Sequence, residues 1–148
     1  MYSLSENLRD LIIESGLSLR KLAEQSKVSA TQYSMYLRGT LPTIDAACRI
    51  CLYFDCSLDY LCGISDKNHK GLGNYDLTDF IAKYLNLLKE NNTTHWKFSK
   101  EYDISESCLR HWKAGQIPKL ETVIKIAKNL STSIDYLVGR TDKKYSNN

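Results

Sequence analysis

The 148-residue chain is short of the residues that punctuate or staple a fold. It holds two prolines, Pro42 and Pro118, and seven glycines, too few for a turn-rich secreted scaffold or a collagen-like or low-complexity chain. No long apolar run is present. The longest mostly apolar stretch, Cys48 to Phe54, is interrupted by Arg49 and falls far short of the roughly 20 residues that span a bilayer. The opening Met1-Tyr-Ser-Leu-Ser-Glu-Asn-Leu8 has neither a basic region nor an apolar core, so no secretory signal is expected and the cytoplasm is the expected location. Five cysteines are an odd number, which disfavours a disulfide framework and predicts reduced thiols. With 43% hydrophobic and 25% charged residues, the composition is that of an ordinary globular protein.

What is present is repetition. Pairing residue n with n+76 from Leu4 to Asn68 needs no gap and gives 14 identities in 65 pairs, the mark of a tandem duplication. The identities fall on punctuation and core: Gly39 with Gly115, Pro42 with Pro118, and Ser57-Leu-Asp-Tyr-Leu-Cys-Gly63 with Ser133-Ile-Asp-Tyr-Leu-Val-Gly139. The expected boundaries are a first domain over 1–67, a linker over 68–75, a second domain over 76–143 and a polar tail over 144–148. Gly71 and Gly73 suit a flexible linker. The formal charge of +3 is uneven: residues 1–72 hold 8 Lys+Arg against 8 Asp+Glu, and residues 73–148 hold 12 against 9. A basic binding surface is therefore expected in the second half.

Each unit carries only helical period. Leu4, Leu8, Leu11 and Ile12 form a first stripe, kept by Phe80, Tyr84, Leu87 and Leu88. Ser18 and Thr94 can cap a short second helix whose inner face is Leu22 and Ala23, or Phe98 and Ser99. Ser29-Ala-Thr-Gln32 has capping-box spacing for a third helix, and Ser105-Glu-Ser107 offers the same cap with an acid in the first turn. That helix runs to Gly39 or Gly115. Ile44, Ala47, Cys48 and Cys51, matched by Leu120, Val123, Ile124 and Ala127, make a fourth, and Ser57 and Ser133 cap a fifth. The expected fold is all-α: two tandem five-helix bundles.

Two short helices separated by only a few residues near Ser26 to Ser29 look like a helix-turn-helix. The unit resembles the Cro/repressor-type helix-turn-helix family, often called XRE. The resemblance is carried by Leu17-Ser-Leu-Arg-Lys-Leu-Ala-Glu-Gln-Ser-Lys-Val-Ser29 with Gly39, Pro42 and Ser57-Leu-Asp-Tyr-Leu61, and in the second unit by Leu109 to Gly139. It implies a sequence-specific DNA-binding regulator that is not an enzyme, needs no cofactor and lays its third helix in the major groove, where base edges present distinct donors and acceptors. The implied reading face is Ser29, Ala30, Thr31, Ser34, Met35 and Arg38 in unit one. In unit two it is Ser105, Glu106, Ser107, Arg110, His111 and Ala114. Ser18, Thr94, Lys97, Lys113 and Lys119 are the phosphate candidates. Tyr33, Tyr36, Leu109 and Trp112 take the inward positions.

Two departures bear on this implication. Leu19 and His95 stand where many members carry glutamine, and the turn residue often held by glycine is Lys27 or Asp103. Asp visits left-handed geometry more readily than Lys, which predicts a shifted turn in unit one. With no net charge and Arg38 as its only reading-face cation, unit one is open to a second reading, as a protein-binding module with Met35, Tyr33 and Tyr36 around its third helix. Cys48-x2-Cys51 with Cys56 and Cys62 invites a metal or redox reading. Their partners Ile124, Ala127, Thr132 and Val138 are mostly apolar, so core packing without metal is expected. Cys108 has no second ligand nearby, and His69 reads as a solvated linker residue. The expected partners are double-stranded DNA and no membrane, with a homodimer and a protein partner for unit one left open.

Overall fold

The computed structural model describes residues 3–144; the end of the expected polar tail, 145–148, lies outside them. The described residues are all-helical in ten segments: α1 (Leu4–Ser15), α2 (Leu19–Ser26), α3 (Ala30–Leu37), α4 (Ile44–Phe54), α5 (Leu58–Leu61), α6 (Phe80–Glu90), α7 (His95–Glu101), α8 (Cys108–Lys113), α9 (Leu120–Asn129) and α10 (Ile134–Leu137). α6 to α10 repeat α1 to α5 at the offset of 76, with ends that differ by a residue or two. The caps explain where most of them start. Ser18, Thr43, Ser57, Thr94 and Ser133 each accept from the amide three residues on, and Ser29 forms a complete capping box with Gln32.

The exits repeat as faithfully. Left-handed backbone occurs at Gly16 and Asn92, Lys27 and Asp103, Gly39 and Gly115, Asp55 and Ser131, and Gly63 and Gly139, every pair 76 residues apart. Lys27 adopts φ 65° and Asp103 φ 55°, so the turn in unit one is not shifted as expected. The surrounding helices dictate the conformation, and Lys27 takes it against its own preference.

Each unit buries its own stripe. Leu4, Leu8, Leu22 and Tyr36 are buried in unit one and their counterparts Phe80, Tyr84, Phe98 and Trp112 in unit two. The aromatic set in unit two meets edge to face, with Tyr84 5.6 Å from Trp112 and Phe80 5.1 Å from it. Cys48, Cys51, Cys56 and Cys62 are buried with free thiols, and Cys108 is half-buried.

The connection between the units is tied down rather than flexible. Ser57 N–H donates to Asn68 Oδ1, Gly71 N–H to Asp55 Oδ1, and Tyr75 Oη to Asp45 Oδ1. On the far side Gly73 and Arg140 exchange backbone and side-chain bonds, and Asp76 N–H donates to Val138 O at 2.7 Å. The units dock directly through α5 and α10, so the segment does not act as the extended tether its glycines suggest. Lys144, placed in the tail by composition, accepts through its carbonyl from Ser133 N–H and Thr132 Oγ1.

Candidate nucleic-acid interface

α2, the turn at Lys27 and α3 form a compact two-helix corner. Its inside is held by Leu22 and Val28 and by Tyr33, whose hydroxyl meets Ser26 Oγ at 2.6 Å. Tyr36 is also buried, with its hydroxyl accepting from Gln32 Nε2. Both tyrosines are core, as expected from the inward positions, and neither is available to a partner on the outer face. That outer face carries Thr31, Met35 and Arg38 exposed, with Ala30 and Ser34 half-buried beside them. Ser29 is exposed, but its Oγ already accepts from Gln32 N–H.

The matching corner of unit two is built differently. Ser105 does not cap, and Glu106 is not in a first turn: α8 starts at Cys108, and Ser107 stands before it with no side-chain cap. Ser105 Oγ instead meets Ser107 Oγ at 2.9 Å. The cause is His95. Its ring bridges Tyr84 Oη through Nδ1 at 2.7 Å and the Glu106 carbonyl through Nε2 at 2.8 Å. A carbonyl held by an imidazole is drawn away from the helix ladder, and Leu19, the counterpart in unit one, has no polar atom with which to do this. Burial pushes the Tyr84 hydroxyl well above its ordinary range.

Beyond that altered start, Arg110 and His111 are exposed on α8 and Ala114 just past its end. Glu106 is exposed and 3.8 Å from Lys100, a surface pair worth about 0 to 1 kcal/mol. Lys97, Lys113 and Lys119 are exposed near the ends of α7, α8 and α9. Ser18 and Thr94 are exposed caps whose oxygens accept from Lys21 and Lys97 N–H, leaving their hydroxyl protons to donate. Trp96 is a residue that pattern reading passed over: it lies on α7 and is 57% exposed. Its counterpart is Arg20, also exposed. A tryptophan in a helical stripe reads as core, and only the placement of Phe98 and Ser99 inside turns Trp96 outward.

Residues 8–61 match the helix-turn-helix family. That span runs from α1 to α5, so the first unit is a helix-turn-helix domain; the match does not extend to the second unit, whose likeness rests on its repeated helices and exits. No curated protein and no solved structure matches the chain. No helix of the described residues is long and apolar enough to cross a membrane.

Cys108 opens α8, whereas Cys48, Cys51, Cys56 and Cys62 are buried in unit one. Burial pushes the Cys48 thiol up to about 12 and raises Cys51 and Cys62 well above their ordinary value. Metal binding and nucleophilic attack use the thiolate, the form that this burial disfavours.

A cluster of buried ionisable groups lies between the units. The Asp135 carboxylate accepts from Leu58 N–H at 2.9 Å and Asp59 N–H at 3.0 Å, and Asp59 accepts from Ile134 N–H at 2.7 Å and from Ser133 Oγ. Arg140 Nη1 lies 2.7 Å from Asp135 Oδ1, and both of its terminal nitrogens donate to the Cys56 carbonyl. Asp59 has no such cation: the residue 76 before Arg140 is Ile64. Burial, then the Asp135 charge, raise the Asp59 carboxyl to about 7, against the hydrogen bonds from Ser133 and Ile134.

Proposed function

We propose that the chain is a DNA-binding transcriptional regulator of the Cro/repressor type, acting in the cytoplasm. It reads the major groove of duplex DNA with α3 and α8. The observation that carries this reading is the match of unit one to the helix-turn-helix family, joined to a second unit with the same order of helices and the same left-handed exits. The reading residues are Ser29, Ala30, Thr31, Ser34, Met35 and Arg38 on α3, and Ser105, Glu106, Ser107, Arg110 and His111 at α8. Lys97, Lys113 and Lys119, with the hydroxyls of Ser18 and Thr94, take the phosphates. The two faces present unlike donors and acceptors, so the site has two unlike halves. The greater share of affinity lies in unit two, because phosphate neutralisation dominates DNA affinity and residues 73–148 hold the excess of cations.

Selection of bound duplexes from a random library by the purified chain, over a salt series, tests the reading. One recurrent sequence with salt-sensitive affinity is the expected result. Arg110→Ala is expected to weaken the selected site by about 1 to 3 kcal/mol and relax preference at one position, whereas Lys119→Ala weakens all sequences alike. A folded chain that selects no sequence would favour the second reading, in which unit one binds protein. That reading draws on its balanced charge and on Met35, 39% exposed on α3.

A further inference from the structure

The contact between the units uses one motif twice. Ser57-Leu-Asp-Tyr-Leu61 and Ser133-Ile-Asp-Tyr-Leu137 face each other, and each serine caps its own helix at the tyrosine amide. Each aspartate crosses to the start of the other helix: Asp135 accepts from the Leu58 and Asp59 amides, and Asp59 from the Ile134 amide and the Ser133 hydroxyl. The amides of a first turn have no partner within their helix, so the start of α5 is completed by α10 and the start of α10 by α5. Asp59, Asp135 and Arg140 are all at most 5% exposed, so the contact buries these groups together with their hydrogen-bond partners. This is the exchange expected of an isologous dimer, here inside one chain.

A second observation relates this contact to the third helices. A cleft of about 750 Å³ lies between the units, lined by Leu41, Pro42 and Ile44 and by their counterparts Ile117, Pro118 and Leu120. These residues form the connections from α3 to α4 and from α8 to α9 and the first residues of α4 and α9. The two third helices therefore lead into one shared cleft, on either side of the same approximate two-fold relation.

We propose that Asp59 and Asp135 are positioning residues that fix the separation of α3 and α8, so that a single chain meets duplex DNA as a built-in pair and accepts one distance between its two half-sites. The inference rests on the DNA-binding reading given above. Neither aspartate touches the nucleic acid; both act through the rigid placement of the two units.

The test is the dependence of affinity on half-site spacing. The duplex selected by the full chain is lengthened between its halves in single-base-pair steps up to half a helical turn, about 5 base pairs. The intact chain is expected to lose about tenfold or more in affinity within two or three added pairs. Asp59→Ala, with its core amides still protected from hydrogen exchange, is expected to bind each half as before and to lose less than about threefold over the same series. Ile64→Arg, which adds a cation on the Asp59 side, is expected to keep the spacing preference. Indifference of the intact chain to spacing overturns the proposal without recourse to any variant, as does a folded Asp59→Ala chain with an unchanged preference. Failure to select any duplex overturns the DNA reading itself. Rapid exchange of the Leu58, Asp59 and Ile134 amides in the free chain, measured apart from DNA, overturns the rigid contact alone.

Discussion

At the residue scale the molecule is governed by side chains that hold an unfavourable state because their neighbours require it. Asp59 is the clearest. With two buried carboxylates and one guanidinium between the domains, its proton is retained to an unusually high pH. A carboxyl raised above its unfolded value of about 3.9 gives stability that is complete below that value and lost as pH rises through about 7. Thermal unfolding is therefore expected to show a lower midpoint at pH 8.5 than at pH 5.5, by an amount equivalent to about 1 to 3 kcal/mol. Asp59→Asn, which cannot ionise, should flatten that slope; a midpoint that rises over this window, or an unaltered slope in the variant, would refute the assignment. Lys27 is the second case. An L-residue other than Gly, Asn or Asp pays about 1 to 2 kcal/mol in left-handed geometry, and Lys27 is exposed at φ 65°. Lys27→Gly is expected to stabilise the chain by about 0.5 to 1 kcal/mol, and Asp103→Gly to give less, as chemical denaturation of the two variants would reveal.

At the element scale the two helix-turn-helix corners differ although their register is the same. α3 begins with a full capping box, whereas α8 begins two positions later in the repeat, where His95 holds the Glu106 carbonyl. His95→Leu, which installs the residue of unit one, removes two hydrogen bonds and leaves the buried Tyr84 hydroxyl without its partner. The expected cost is about 1 to 3 kcal/mol. Carbon chemical shifts should then report helix at Glu106 and Ser107. Retention of the late start in the variant would mean that the backbone itself, and not the imidazole, sets it.

At the scale of the whole molecule, the connection is a structural part of the docked pair. Gly139 has φ 84°, and a Cβ there would lie 2.1 Å from the Asp76 carbonyl oxygen, a clash with backbone rather than with a movable side chain. Gly139→Ala is expected to cost about 3 kcal/mol or more, from overpacking added to left-handed strain. Gly115→Ala, at φ 101° with nothing within 4 Å, should cost only the strain, about 1 to 2 kcal/mol. Equal losses at the two positions would show that the close approach of residues 76 and 139 contributes nothing.

The all-helical fold, its repeat and its core were legible from sequence, because caps, helical period and left-handed exits are local effects. Ser29 with Gln32 and Gly39 with Gly115 follow from spacing, and the inward Tyr33 and Tyr36 from the family resemblance. The late start of α8 was not legible, since it depends on an imidazole meeting a carbonyl eleven residues away in the chain. Nor was the docking of the units: Asp59 and Asp135 look like ordinary first-turn acids, each suited to its own helix. Only the tertiary structure turns each aspartate onto the amides of the other helix, because α5 and α10 begin beside one another and their unpartnered amides need a buried acceptor.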